Sequence, residues 1–339
     1  DAVSGAASRP APPAAGWIDV PICEAILTKD LKILVTVDGS TSSTMALNYV
    51  ADGVLSNERT AFAEVLHIYD PTAQKDLANP HQAETLRLMC DAKLTGSVSS
   101  RRFRLKWVNG QDRQSRGERI CEAIADLQAD YICMGFLGIG VNRHDPKAQV
   151  SMLGNRLSST VHDAINQGSV SLICIKDEEA SLLPLRRRAI FVVSVSLNKA
   201  STKAFLDALR LSKPGDEIHV VYVRSYLEKE ESDYTAAVRD KYDGFFRSFE
   251  DDDEKVFSLF HDRKMKFEMI PKKLRQSIAE AVVDYADEVE ADFLVVGANA
   301  ADRVARGKKP VGTVSLQVCL LTTRNFVVAN WIDVAPEVF

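Results

Sequence analysis

The chain contains two copies of one pattern, and this internal repeat constrains the fold more than any other feature of its 339 residues. The segment ILVTVDGSTSSTMAL at 33–47 aligns without a gap with FVVSVSLNKASTKAF at 191–205. A second pair, ERICEAIADLQADYICMG at 118–135 and QSIAEAVVDYADEVEADFLVVG at 276–297, aligns with four extra residues in the later segment. We therefore interpret the sequence as a tandem duplication of one domain-sized unit.

Within each copy, short apolar runs rich in β-branched residues alternate with longer amphipathic runs. The short runs, such as those at 32–37 and 131–135, are apolar throughout, which is typical of parallel strands that helices cover on both faces. The alternation predicts five strands and four helices in each copy. The expected fold class is α/β, with two doubly wound, Rossmann-like, five-stranded parallel-sheet domains in tandem.

The repeat also sets the expected domain boundaries. We expect a flexible leader at 1–30, a first domain at 31–176, a linker at 177–187, a second domain at 188–330 and a C-terminal tail at 331–339. The linker carries an acidic cluster, a proline and consecutive arginines, which favours an exposed connection. The tetrapeptide Trp-Ile-Asp-Val occurs at 17–20 and again at 331–334, so it flanks the duplicated unit on both sides.

Charge and cysteine content exclude several classes of protein. The 42 Lys and Arg against 47 Asp and Glu give a net charge of −5, which provides no basic field for nucleic acid or anionic lipid. No stretch approaches the ~20 apolar residues of a membrane span. The six scattered cysteines lack zinc-ligand spacing and indicate buried free thiols. We expect a cytoplasmic protein, and since the chain opens at Asp1 and not at Met, an organelle stays open as the alternative.

The candidate binding residues follow the first and fourth strands of each copy. Ligands of open parallel sheets bind beyond the carboxyl ends of the strands, where strand order reverses. In the first copy, Asp38 and Gly39 follow the first strand, and Gly135 and Gly138 end the fourth. The carboxylate can accept hydrogen bonds from a base or a ribose, and glycine lets phosphate approach backbone N–H groups. A helix N-cap at Asp38 and tight turns at the glycines are the alternative interpretation.

A further glycine begins the fourth helix of each copy. It is Gly154, followed by Asn155, in the first copy, and Gly312, followed by Thr313 and Ser315, in the second. Free N–H groups and the positive end of the helix dipole make such a helix start suitable for an anion.

Together these residues make the two copies resemble the universal stress protein family in its tandem form, over 31–176 and 188–330. Members of this family share a five-stranded parallel α/β fold, and many bind ATP through an Asp after the first strand and a loop of pattern G-x2-G-x9-G-[ST]. The resemblance implies that Asp38 contacts the adenosine, that Gly135 and Gly138 form the phosphate loop and that Gly154 begins the helix. The corresponding residues of the second copy are Gly297, Gly312, Thr313 and Ser315.

Both copies depart from the family pattern. The first has fifteen residues instead of nine before Gly154, and Asn155 replaces the hydroxyl residue. The second has Ser196 where Asp38 would fall and Ala300 in place of the second glycine. We therefore expect nucleotide binding in the first copy more than in the second.

The resemblance also implies an internal pseudo-dimer. Family members commonly pair through their fifth strands, which here are the runs at 171–175 and 325–329. Mutual pairing would remove two exposed apolar edges.

No catalytic constellation stands out in the sequence. HExxH, GxSxG and Walker motifs do not occur, and His67 and His219, in matching second strands, are expected to be hydrogen-bonded core residues. We expect a stress-response or regulatory module that binds ATP, ADP or AMP, with Mg²⁺ only as companion of the nucleotide, and that is not an enzyme, although weak ATP hydrolysis stays open. The alternative is a degenerate scaffold subunit that binds protein partners of a larger assembly without nucleotide, through Trp17, Trp331 and the basic loop at 303–309.

Overall fold

The fold was described from a computed structural model, and its elements follow the repeat. The structure describes residues 20–70, 82–110, 115–136, 160–161, 164–165, 170–176, 188–225, 232–250, 260, 262–298 and 311–331. The linker at 177–187, the end of the tail at 332–339 and the helix start expected at Gly154 lie outside these residues.

Both copies alternate strands with helices in the same order. Helix α1 (Val20–Thr28) precedes the first copy, whose elements are β1 (Lys32–Thr36), α2 (Thr41–Asn48), β2 (Phe62–Tyr69), α3 (Ala83–Ser97), β3 (Phe103–Asn109), α4 (Arg116–Leu127), β4 (Tyr131–Gly135) and β5 (Ser171–Ile175). Helix α2 continues directly into a π-helix over Tyr49–Leu55. The elements of the second copy are β6 (Ile190–Ser194), α5 (Lys199–Leu211), β7 (Glu217–Arg224), α6 (Asp233–Glu250), β8 (Lys264–Pro271), α7 (Ile278–Glu288), β9 (Phe293–Ala298), α8 (Thr313–Leu321) and β10 (Asn325–Asn330).

The ten strands form one sheet in the order β3-β2-β1-β4-β5-β10-β9-β6-β7-β8. Strands within each copy are parallel, and the two copies join through the antiparallel pair β5–β10, in which Val327 lies opposite Ile173. The doubly wound fold and the internal pseudo-dimer are therefore confirmed. Because the fifth strands pair with each other, neither leaves an apolar edge in solvent.

The third helix of each copy starts with the same capping box. Ser115 caps α4 and Ser277 caps α7, and in each case a glutamate three residues later returns a hydrogen bond to the cap residue. Helix α7 begins only at Ile278, after Arg275, whose φ of 65° does not fit a right-handed helix.

Apolar side chains fill both faces of the sheet. Helices α1, α2, α3, α5 and α6 cover one face, and α4, α7 and α8 cover the other. Among the cysteines, all but Cys121 are buried, and all are free thiols. Among the described residues, no helix has both the length and the apolar content to cross a bilayer.

Helix α1 corrects the expectation of a flexible leader over 1–30. It lies within that segment, and its Cys23 and Leu27 are only 2% and 8% exposed. Both side chains belong to the core cluster that α5 of the second copy also joins, and α1 contacts α5. Burial against the rest of the protein stabilises this short helix, which the local sequence alone does not predict.

Candidate functional site

Asp38 directly follows β1, and the backbone holds its side chain in a turn. Its Oδ1 accepts a hydrogen bond from the N–H of Ser40 at 3.0 Å, and its own N–H donates to Ser43 Oγ at 3.2 Å. Between them, Gly39 has a φ of 83°, in the left-handed region that favours glycine. Ser40, and not Asp38, is the N-cap of α2, so the capping interpretation of Asp38 is wrong.

The sheet order places Asp38 at the point where the strand order reverses, between β1 and β4. β1 pairs with β2 on one side and with β4 on the other, and these strands are parallel. The carboxyl ends of β1 and β4 therefore share one edge, which is where ligands of such sheets bind. The structure thus brings Asp38 and Gly39 to the same edge as Gly135. The remaining predicted residues of this copy, Gly138, Gly154 and Asn155, lie outside the described residues.

Gly135 and Gly297 allow a helix to approach the end of a strand closely. A Cβ built on Gly135 would lie 2.3 Å from the carbonyl carbon of Ser42, and one on Gly297 would lie 2.3 Å from the carbonyl oxygen of Ala200. Ser42 and Ala200 belong to the first turns of α2 and α5. Close packing of a helix against the strand end therefore requires glycine at both positions, and the spacing of the motif did not predict this.

The second copy closes the corresponding turn with neutral groups. Ser196 Oγ accepts a hydrogen bond from Asn198 Nδ2 at 2.7 Å and lies 3.0 Å from Ser201 Oγ. Asn198 caps α5 by accepting from the N–H of Ser201 at 2.8 Å. The backbone N–H of Asn198 also points at Ser196 Oγ, at 3.4 Å, as the N–H of Ser40 points at the Asp38 carboxylate. A hydroxyl thus replaces the carboxylate while the turn is kept.

The start of α8 brings together the predicted residues of the second copy. Gly312 is the N-cap of α8, whose first residue is Thr313, and among the described residues no side chain caps this helix. Ser315 Oγ donates to the carbonyl oxygen of Gly297 at 2.8 Å, which fixes the helix start beside the end of β9. Backbone N–H groups of an uncapped first turn, together with the helix dipole, favour an anion at this place.

A buried histidine lies beneath Asp38 and was not singled out as a neighbour of the site. His67 on β2 is 3% exposed, and its Nδ1 donates to the carbonyl oxygen of Val37 at 2.8 Å. Burial lowers the pKa of His67, while the Val37 carbonyl and the Asp38 carboxylate raise it and Arg116 lowers it further. The imidazole is thus kept neutral, and its Nε2 has no hydrogen-bond partner within the described part of the chain.

The other strand histidine faces the opposite side of the sheet. His67 lies on the same face of the sheet as Val65, which α2 covers. His219 lies on the same face as Val221, which α7 covers. His219 Nδ1 lies 3.2 Å from the hydroxyl of Tyr285. Both histidines are hydrogen-bonded core residues, as expected, but they do not occupy equivalent places.

Trp331 is buried against the protein itself. It is 8% exposed, its backbone N–H donates to the carbonyl oxygen of Ala298 at 3.1 Å, and Lys199 Nζ lies 5.6 Å from the centre of its ring. The aromatic side chain is therefore not presented for a partner, in contrast to the scaffold interpretation. Trp17 and the basic loop at 303–309 lie outside the described residues.

Comparison with known proteins found a matching family model and similar solved structures. The model of the universal stress protein family matches residues 31–176. The crystal structure of a universal stress protein from Archaeoglobus fulgidus DSM 4304 covers 89% of this chain and 99% of its own, with 16% identity and a TM-score of 0.61. A universal stress protein in complex with cAMP covers 44% of this chain and 98% of its own, with 16% identity and a TM-score of 0.30.

A further universal stress protein, from Lactobacillus plantarum, covers 42% of this chain and 99% of its own, with 18% identity and a TM-score of 0.31. Among curated proteins, none matches the chain. The Archaeoglobus structure shows the fold for both copies, because it extends over nearly the whole chain. Residues 31–176 therefore match the universal stress protein family, and over the whole chain the fold is similar to that of a solved member of this family.

Proposed function

We propose that this protein is a stress-response or regulatory module that binds an adenine nucleotide and acts by binding, without turnover. The observation that carries the proposal is the position of Asp38 in the first copy. A carboxylate stands where strand order reverses, and the N–H of Ser40 orients it. A carboxylate in this position accepts hydrogen bonds from ribose hydroxyls or from the amino group of adenine.

Each copy would carry its own site, and the part of the site that would bind phosphate is described in the second copy. The uncapped start of α8, with Gly312 and Thr313 beside β9, has the features of a phosphate site at a helix N-terminus. The described residues contain no group of His, Cys, Asp and Glu that could hold a metal ion. On this proposal the phosphate oxygens hold Mg²⁺, and the ion arrives with the nucleotide.

The two copies differ in how well they suit the adenosine end. Ser196 carries no charge, and its hydroxyl already contacts Asn198 and Ser201. On this proposal the first copy is therefore the tighter site. The Asp38→Ser variant, which carries the residue of the second copy, removes that advantage.

Calorimetric titration of the full chain with ATP, ADP and AMP, with and without Mg²⁺, tests the proposal. We expect saturable binding that weakens between about tenfold and a hundredfold in Asp38→Ser, because a hydrogen bond to a charged group is worth about 1.5–3 kcal/mol. Asp126→Ser is the matched control, since Asp126 is exposed and pairs with Lys106. Absence of heat and of thermal shift at millimolar nucleotide contradicts the proposal, and so does ATP hydrolysis that depends on Asp38.

A scaffold without nucleotide is the second candidate, and one observation favours it. Gly135 and Gly297 are needed for helix packing, so the fold retains both glycines whether or not phosphate binds. Native mass spectrometry of the protein isolated from its own cells separates the two candidates. A single chain loaded with nucleotide supports the binding module, and a large assembly with no nucleotide supports the scaffold.

A further inference from the structure

The connection between β8 and α7 carries a group of basic side chains on the surface of the second copy. It extends from residue 272 to residue 277, and its cations are Lys272, Lys273 and Arg275. Lys273 and Arg275 are exposed, and Lys272 is half-buried. None of the three forms an ion pair with another residue that the structure describes. Because the chain as a whole has a net charge of −5, this unpaired positive group is a local exception.

Hydrogen bonds within the connection shape it as a surface turn. The backbone N–H of Lys273 donates to Gln276 Oε1 at 2.7 Å, and the N–H of Gln276 donates to the carbonyl oxygen of Lys273 at 3.1 Å. Arg275 has a φ of 65°, which residues other than glycine rarely adopt. Leu274, at the tip, is 67% exposed. The connection packs little apolar surface and can therefore open locally without disturbing the core.

Ser277 ends the connection as the N-cap of α7 and keeps a usable hydroxyl. Its Oγ accepts a hydrogen bond from the N–H of Glu280 at 3.1 Å, and its backbone N–H donates to Glu280 Oε2 at 2.7 Å. The hydroxyl proton is not donated to any other described residue. The backbone at Ser277 is extended, with a φ of −75° and a ψ of 163°. Such a hydroxyl becomes a nucleophile when a base of a second protein removes its proton.

The residues before Ser277 are complementary to an acidic substrate cleft. In the sequence KKLRQSI at 272–278, cations precede the serine by five, four and two positions, and Ile278 follows it with 40% exposure. Protein kinases discriminate between substrates by the pattern of charges around the acceptor residue. This pattern favours a kinase that binds basic side chains on the N-terminal side of the serine.

The position of Ser277 also stabilises the phosphorylated product. A phosphoserine carries a charge of about −1.5 to −2 at neutral pH. At the N-cap it faces the free N–H groups of the first turn of α7 and the positive end of the helix dipole. The unpaired cations of the connection offset the remaining charge, whereas the Glu280 carboxylate is repelled by the phosphate. Phosphorylation thus replaces the capping box with a phosphate cap.

The first copy provides a matched serine without the basic residues. Ser115 caps α4 through the same capping box, in which Glu118 takes the part of Glu280. The second copy has KKLR at 272–275, and the aligned segment of the first copy, at 110–113, is GQDR. One cation and one carboxylate therefore precede Ser115 where three cations precede Ser277. The two serines differ in the charge before them and not in their helix cap.

We propose that Ser277 is a phosphorylation site for a protein kinase that selects basic residues before the acceptor serine. In the reaction, the Ser277 oxygen forms a bond to the γ-phosphorus of ATP, the bond from that phosphorus to the β,γ-bridging oxygen breaks, and ADP leaves. The hydroxyl proton passes to the catalytic base of the kinase. The modification uses no part of the turn at Asp38, so it does not depend on the function proposed above.

Incubation of the full chain with the catalytic domain of protein kinase C and Mg²⁺–ATP, followed by mass spectrometry of its peptides, tests the proposal. We expect phosphate on Ser277, added at least tenfold faster than on Ser115. The triple variant Lys272→Gln, Lys273→Gln, Arg275→Gln should lose at least tenfold in the rate at Ser277. Lys264→Gln, which removes an exposed cation from the opposite end of β8, should leave that rate unchanged.

Ser277→Asn separates modification from folding. Asparagine is a good N-cap, so this variant keeps α7 while it loses the acceptor hydroxyl. Its circular dichroism spectrum should match that of wild type, and the peptide that contains residues 272–278 should take up no phosphate. Absence of phosphate on Ser277 of the wild-type chain overturns the proposal, and so do equal rates at Ser277 and Ser115 or an unchanged rate in the triple variant.

Discussion

The hydroxyl of Tyr131, at the start of β4 in the first copy, donates a hydrogen bond to the carboxylate of Asp207, in α5 of the second copy. Both residues are fully buried. Asp207 also accepts from Ser171 Oγ at 2.7 Å and forms an ion pair with Lys203. The buried Asp207 carboxylate therefore accepts hydrogen bonds from the first copy and forms an ion pair within the second.

The opposite side of the pseudo-dimer is apolar at the equivalent position. There Tyr49 at the end of α2 packs on Phe293 of β9, with ring centres 5.1 Å apart. The Tyr49 hydroxyl is buried and has no hydrogen-bond partner within the described residues, and burial raises its pKa. The duplicated halves have thus diverged at this position, where they meet.

Asp207→Ala should destabilise the protein by about 3 kcal/mol, because it leaves the partly buried Lys203 ammonium without its carboxylate partner and removes the acceptor of the Tyr131 and Ser171 hydroxyls. Urea unfolding measures this change. Lys203→Met copies Met45, the residue aligned with Lys203, and removes that charge. In the double variant the cost of Asp207→Ala should fall by more than 1 kcal/mol, and strict additivity would contradict the assigned coupling.

Gly135→Ala should cost about 1–3 kcal/mol of stability, because the new Cβ would lie 2.3 Å from the backbone of Ser42. Gly96→Ala is the control, since Gly96 lies in α3 and a Cβ there meets nothing within 4 Å. That variant should be neutral or stabilising by up to about 1 kcal/mol. Thermal and urea unfolding compare the two, and equal stabilities would show that the close approach is not required.

Stability should fall as pH drops below about 6.5, the ordinary pKa of histidine. Burial lowers the pKa of His67 in the folded protein, so the unfolded chain takes up a proton before the folded one does. The His67 contribution is complete above pH 6.5 and decreases towards the lowered folded pKa, by at most about 1.4 kcal/mol per pH unit. Urea unfolding between pH 5 and 8 should show a shallower acid slope in His67→Phe than in wild type, and an unchanged slope would exclude His67 as the cause.

Lys176→Met should destabilise the protein by about 1–2 kcal/mol. Lys176 follows β5 in the first copy, and its Nζ donates to the carbonyl oxygens of Cys319 and Thr322, at 3.0 and 2.7 Å, at the end of α8 in the second copy. Lys106→Met removes a comparable charge from a solvated pair with Asp126 and should cost no more than about 0.5 kcal/mol. Chemical denaturation that found equal costs would contradict the bridging role of Lys176.

The sequence was sufficient for the architecture because its signals are local. Apolar runs such as 32–37 and 131–135 coincide with β1 and β4 within a residue, and the repeat predicts the same order of elements twice. Resemblance to a family added the pairing of the fifth strands, and the structure confirms it. Asp38 could be placed at the end of β1 from its position after an apolar run.

Tertiary structure decided the contacts between segments that are distant in the chain. Nothing local predicts that Tyr131 reaches Asp207, that Gly135 lies against Ser42, or that helix α1 is buried beside α5. Periodicity records which face of an element is apolar, whereas the partner of that face is set by how all the elements pack at once.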